Sequence, residues 1–183
     1  MIMKFFDIYK QDKKIHQQIL NDLKFLFKKT DFILGSPVEK FEKEFAAYCN
    51  TKYAIGCANG TDAIYLALKS LNLKKNSEVI IPAMTYCSTA FSVINANLKP
   101  VLVDTEPFKP TIDASKIKKK ITSKTKVIMP VHLYGSAANL NAIKKIIKKN
   151  SIFLIDDCAQ AHGTIDDSNT TYNKKIGSTA DIS

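Results

Sequence analysis

Short β-branched apolar runs alternate with stretches of helical period along most of this chain, and that alternation sharply limits the folds open to it. The runs occupy residues 52–57, 78–82, 99–104, 126–131 and 152–156, with helical patterns at 61–71 and 89–94 between the first three. Runs that are apolar without a polar partner face predict strands covered on both sides. Strands spaced by amphipathic helices predict a parallel sheet between two helical layers. Two further helical segments, 12–29 and 38–49, precede the first run and are joined by Phe32-Ile33-Leu34-Gly35-Ser36-Pro37. The expected organisation is an N-terminal helical segment over 1–50 and an α/β region over 51–183, with no repeat or linker between them.

Charge narrows the partners. All 27 basic residues among the 183 are lysine, and the formal net charge is +10. Arginine, the side chain that forks onto phosphates and guanine edges, is absent, so nucleic-acid reading is not expected. The lysines of 116–120 and 144–149 interleave with isoleucines at helical spacing, the pattern of solvated helix faces. No apolar run approaches the roughly 18 residues of a membrane span. Asp7 and Lys10 interrupt the start Met1-Ile2-Met3-Lys4-Phe5-Phe6, so it has no signal-peptide core, and the chain reads as cytoplasmic. Cys49, Cys57, Cys87 and Cys158 form no CxxC pair and no zinc spacing with the three histidines. They read as buried free thiols, and no metal site is expected.

In a parallel sheet of this kind, ligands collect beyond the carboxyl ends of the strands, and three segments there carry chemistry. Asn59-Gly60-Thr61-Asp62-Ala63 opens a helix, where free amides and the helix dipole can hold a phosphate, though ordinary N-capping uses the same residues. Tyr86 follows the 78–82 strand, so its ring is either a stacking surface in the cleft or a packed aromatic. Asp156-Asp157-Cys158-Ala159-Gln160 leaves the last apolar run with two carboxylates. One of them could pair with a protonated ring nitrogen with Gln160 nearby, or the two could serve as a cap and a structural hydrogen bond.

Together these segments resemble the DegT/DnrJ/EryC1/StrS family of pyridoxal-phosphate sugar aminotransferases. Phe32-Ile33-Leu34-Gly35, Phe41-Glu42-Lys43-Glu44-Phe45, Asn59-Gly60-Thr61-Asp62-Ala63, Pro130-Val131-His132-Leu133-Tyr134-Gly135, Asp157-Cys158-Ala159-Gln160-Ala161-His162-Gly163 and Ile176-Gly177-Ser178 look like its segments, in its order. The resemblance implies an α/β fold, the three-layer mainly parallel large domain of fold-type-I pyridoxal-phosphate transferases. It implies pyridoxal 5'-phosphate as cofactor, with Gly60, Thr61 and Asp62 at the phosphate, Tyr86 on the ring face, Asp157 at the ring nitrogen and Gln160 at the ring hydroxyl. His132 is placed near the pocket without a role. The reaction implied is amino transfer from an amino acid, most often glutamate, to a keto group on a nucleotide-linked sugar, by a homodimer.

The sequence departs from the family pattern in one respect. The family's cofactor-binding lysine follows the Gly-Ser-x-x-Asp-Ile stretch, which here is Gly177-Ser178-Thr179-Ala180-Asp181-Ile182 and is followed only by Ser183. Lys174 and Lys175 read as surface residues of a polar loop rather than substitutes. The expectation is therefore a truncated large domain, without the C-terminal small domain and without a catalytic residue of its own. A dehydratase of the same family, in which histidine replaces the lysine, stays open, as does a basic binding or scaffolding protein.

Overall fold

The structure, a computed structural model, describes residues 5, 7–148, 150–166 and 174–183. Met1–Lys4 and Phe6 of the N-terminal reading, Lys149 of the basic helix and Tyr172-Asn173 of the polar loop lie outside the described residues. The chain divides into two units, 1–43 and 44–183, with the boundary inside a helix.

The first unit holds α1 (Ile8–Asp12), α2 (His16–Lys29) and the start of α3 (Ser36–Cys49). The helix expected over 12–29 begins later, at His16, because α1 ends at Asp12 and the backbone turns at residues 13–15. Thr30, at a left-handed φ of 54°, closes α2 by donating its amide to Leu26 O.

The second unit is built on four parallel strands in the order β2-β1-β3-β4: β1 (Glu78–Pro82), β2 (Lys99–Val103), β3 (Thr125–Ile128) and β4 (Phe153–Leu154). The helices α4 (Gly60–Ser70), α5 (Cys87–Asn95), α6 (Ala114–Ile117) and α7 (Leu140–Ile147) alternate with them. Strand period sorts successive residues onto opposite faces. Val79, Ile81, Val127, Met129 and Ile155 pack with Leu68 of α4 and Val93 of α5. Ile80, Ile128 and Leu154 pack with Ile117 of α6 and with Leu140 and Ile143 of α7. Both faces of β1 are dry, which is why its run shows no polar alternation, whereas β2 at the edge is largely half-buried or exposed.

The expected strand at 52–57 does not form. Its residues lie in no strand or bridge, and Tyr53 and Ile55 stay exposed at 71% and 85%. A strand exists only where another backbone satisfies its amides, so apolar composition alone does not make one. The β3 run also ends earlier than expected, at Ile128. Pro130 has no amide to donate, although its carbonyl accepts Asp157 N at 3.0 Å.

At the amino end of β1, buried Glu78 accepts from Thr122 Oγ1 at 2.6 Å, Lys99 Nζ at 3.2 Å and Thr125 Oγ1 at 3.4 Å. The Thr122 hydrogen bond chiefly holds its carboxyl below the ordinary 4.5, against burial, with Lys99 adding to the effect. The unfolded chain therefore takes up the proton more readily than the folded one. The stability this network supplies is complete above the ordinary value and is lost as pH falls through the lowered one. Urea midpoints measured from pH 6 to pH 3 should fall steeply for the parent and less steeply for Glu78→Gln.

Candidate functional site

The site lies at the carboxyl ends of β1, β3 and β4, assembled around the first turns of α4 and α5. Asn59 caps α4, its Oδ1 accepting Asp62 N at 2.9 Å while its Nδ2 donates to Asp62 Oδ2 at 3.0 Å. The capping alternative is thus realised, but by Asn59 on Asp62. The Asp62 amide is consequently engaged by that cap. The amides of Gly60 and Thr61 donate to no acceptor among the described residues, as the first turn of a helix requires. A Cβ built on Gly60 would meet nothing within 4 Å, so the space before this turn is open.

Tyr86 sits at the N-cap of α5 in extended backbone, with its side chain 71% exposed. That exposure decides against the packed-aromatic reading. One turn on, Thr89 is fully buried, and its hydroxyl lies 3.5 Å from Asp157 Oδ2 and 2.9 Å from Thr85 Oγ1. Ser92 Oγ donates to Thr61 O at 2.8 Å. One face of α5 therefore ties the start of α4 to Asp157. Thr85, Thr89 and Ser92 were missed in the sequence, where their only signal was polar residues at helical spacing behind Tyr86.

The two aspartates have different environments. Asp156 is 2% exposed and accepts Gly177 N at 3.2 Å. Asp157 is half-buried, and its Oδ1 accepts Ala159 N at 3.1 Å in a local turn. Of the structural roles weighed for the pair, the hydrogen bond is made by Asp156, whereas Asp157 caps no helix among the described residues, closes only a turn and borders open space. A cavity of about 240 Å³ is lined by Gly60, Ala63, Asp157, Cys158 and Ile182, among others. Gln160 is exposed, and its Oε1 accepts Tyr134 N at 2.8 Å, so this structure commits its oxygen to the neighbouring loop.

Lys175 departs from expectation. It is half-buried and lines the same cavity, with its ammonium 3.5 Å above the Tyr48 ring and bonded to Tyr48 O. The cysteines depart as well. Cys57 and Cys87 are exposed, whereas Cys49 and Cys158 are half-buried. Burial, and then the negative charge of Asp156 and Asp157, pushes the Cys158 thiol far up. With iodoacetamide at neutral pH, Cys57 and Cys87 should be alkylated readily and Cys158 more slowly by about tenfold or more, as peptide mass spectrometry would read. A ring nitrogen of His132, an Asp156 oxygen and Cys158 Sγ come within 4.8 Å of one another, a grouping that linear spacing concealed.

The DegT/DnrJ/EryC1/StrS aminotransferase family model matches residues 13–183. The chain belongs to that family. It is 38% identical over 181 residues to the dTDP-3-amino-3,6-dideoxy-alpha-D-galactopyranose transaminase of Aneurinibacillus thermoaerophilus, a match covering 98% of this chain and 48% of that one. Its fold superposes with a TM-score of 0.88 on Streptomyces venezuelae DesV, at 32% identity over 95% of this chain and 46% of the other. Bacillus subtilis NtdA, solved with bound cofactor PMP, matches with a TM-score of 0.78 at 36% identity, over 80% of this chain and 34% of its own. The chain thus spans under half the length of these family members. Among the described residues, no helix of this family member is long and apolar enough to cross a membrane.

Proposed function

We propose that this chain carries the cofactor-recognition half of a pyridoxal-phosphate-dependent aminotransferase that aminates a nucleotide-linked keto sugar. The donor is an amino acid, glutamate by preference, and the working protein is a cytoplasmic homodimer. The observation that carries the reading is that Gly60 and Asp157 line one cavity, with an unpaired helix start at one side and a carboxylate at the other.

The residues present fit the cofactor. Gly60 and Thr61 offer amides, with the α4 dipole behind them, to a phosphate dianion, and the open space at Gly60 lets it approach. Asp62 closes the cap with Asn59 and so holds those amides in place. Tyr86 presents an exposed ring at the N-cap of α5. Asp157 supplies a negative charge that keeps a ring nitrogen protonated, with Thr89 holding one of its oxygens. Gln160 stands three residues beyond and reaches the ring hydroxyl once its bond to Tyr134 N is exchanged. When bound, the cofactor supplies the electron sink that lets a proton leave the substrate's α-carbon.

The nearest test is direct titration of the 183-residue chain with pyridoxamine 5'-phosphate, followed by calorimetry and by cofactor fluorescence. Saturable one-site binding, weakened by Gly60→Asp, which places a like charge at the phosphate, is the expected result. Binding unaffected by that substitution would remove Gly60 from the site, and no binding at millimolar cofactor would overturn the reading.

A further inference from the structure

His132 is fully buried, and its two ring nitrogens have different surroundings. Nδ1 accepts the Ala138 amide at 3.0 Å, which leaves no room for a proton there. The imidazole is therefore neutral, with its single proton assigned to Nε2 by that hydrogen bond. Nε2 has no hydrogen-bond partner but lies 3.8 Å from Asp156 Oδ2, and Asp156 Oδ1 is likewise buried and unpartnered. A shift of under 1 Å would bring Nε2 within reach of Asp156 Oδ2, so the Asp156 carboxylate answers the orphaned Nε2 without any third component.

The backbone ties this pair to Asp157. His132 N donates to Asp157 O, and Asp157 N donates to Pro130 O, each at 3.0 Å. Val131 and Asp157 form a parallel bridge beyond the end of β4. The turn that follows His132 holds Tyr134 at a left-handed φ of 55°, a conformation uncommon for a tyrosine, and from there Tyr134 N donates to Gln160 Oε1. Asp156 is itself anchored from the other side by Gly177 N.

We propose that His132 is a positioning residue: its imidazole, clamped between the Ala138 amide and the Asp156 carboxylate, fixes the peptide that carries Asp157 and so aims the Asp157 carboxylate into the cofactor cavity. This deepens the reading of Asp157 given above and rests on it. Asp156, the first of the two adjacent carboxylates, has the task of holding the second in place.

Two substitutions and a control test it in the 183-residue chain. His132→Phe keeps the ring volume and removes both polar ends, whereas His132→Gln restores an N–H donor that can reach Asp156. Ile143→Val, a buried core substitution that touches neither polar end of His132, provides a control for lost packing. The expected results are a loss of pyridoxamine 5'-phosphate affinity of about tenfold or more in the Phe variant, recovery to within about threefold in the Gln variant, and no change in the control. Equal losses in all three variants, or none in the Phe variant, would overturn the proposal. Nitrogen-15 spectra of the imidazole should show a protonated Nε2 and a bare Nδ1 at pH 7. Hydrogen exchange at the Asp157 amide should quicken about tenfold in the Phe variant alone. A protonated Nδ1, an unchanged Asp157 exchange rate, or Co²⁺ binding with a thiolate band from Cys158 would each refute the positioning role. Should the parent bind no cofactor, the failure belongs to the cofactor reading, and the tautomer and exchange measurements still decide the role of His132.

Discussion

Replacing Asp157 with asparagine is expected to weaken binding of pyridoxamine 5'-phosphate roughly 10- to 100-fold, with little change in melting temperature. A hydrogen bond between charged groups contributes about 1.5–3 kcal/mol, and a neutral amide forfeits that charge. The fold should tolerate the change for a local reason. Asp157 Oδ1 accepts the Ala159 amide, and an asparagine oxygen accepts the same bond in the same turn. Thr89, whose hydroxyl faces the other oxygen, can rotate to accept from the new amide. If Asp157 were only a turn residue, the pattern would be different. Asparagine would then bind cofactor as well as aspartate does, and only Asp157→Ala would lose stability, by about 1 kcal/mol. Calorimetric titration and thermal melts on the two variants separate these outcomes.

The second large effect is expected in the sheet. Ile128→Ala should cost about 2–5 kcal/mol, because the side chain is fully buried among Ile80, Ile143 and Leu154 and its removal leaves a cavity. That is a large share of the stability of a domain of this size, so the urea midpoint should drop markedly with little change in slope. Leu102→Ala, in strand β2, should cost under about 1 kcal/mol, since Leu102 is 54% exposed. The two residues look alike in the sequence, each the middle of a Val/Ile/Leu run. They differ only in place, for β3 is flanked on both sides and β2 is the edge of the described sheet.

That contrast shows how far the sequence could be read. Apolar runs at 78–82, 99–104, 126–131 and 152–156 were legible as strands, since a dry run five or six residues long flanked by amphipathic helices has few other uses. The run at 52–57 has the same look and forms no strand, because pairing depends on a neighbour that local composition does not report. The site residues were legible from motif order. Tyr86 and Asp157 follow β1 and β4, as that order implied, whereas the helix start at Gly60 follows a segment that forms no strand. The scaffolding between them was not legible, since Thr89, Ser92 and His132 act across 68, 31 and 24–25 residues of separation.

The amino-acid sequence by itself determined the alternation of strand and helix, the caps, the family and the chemical types available at the strand ends, because each depends on neighbours within one or two turns of chain. Tertiary structure alone decided which of two adjacent aspartates is buried against His132 and which borders the cavity. It also decided that Cys158 is shielded while Cys57 and Cys87 are exposed, and that Thr89 and Ser92 tie Asp157 to the start of α4. The physical reason is that burial, desolvation and long-range hydrogen bonding come into being only when distant segments pack together, whereas propensity and capping are already present in the local chain.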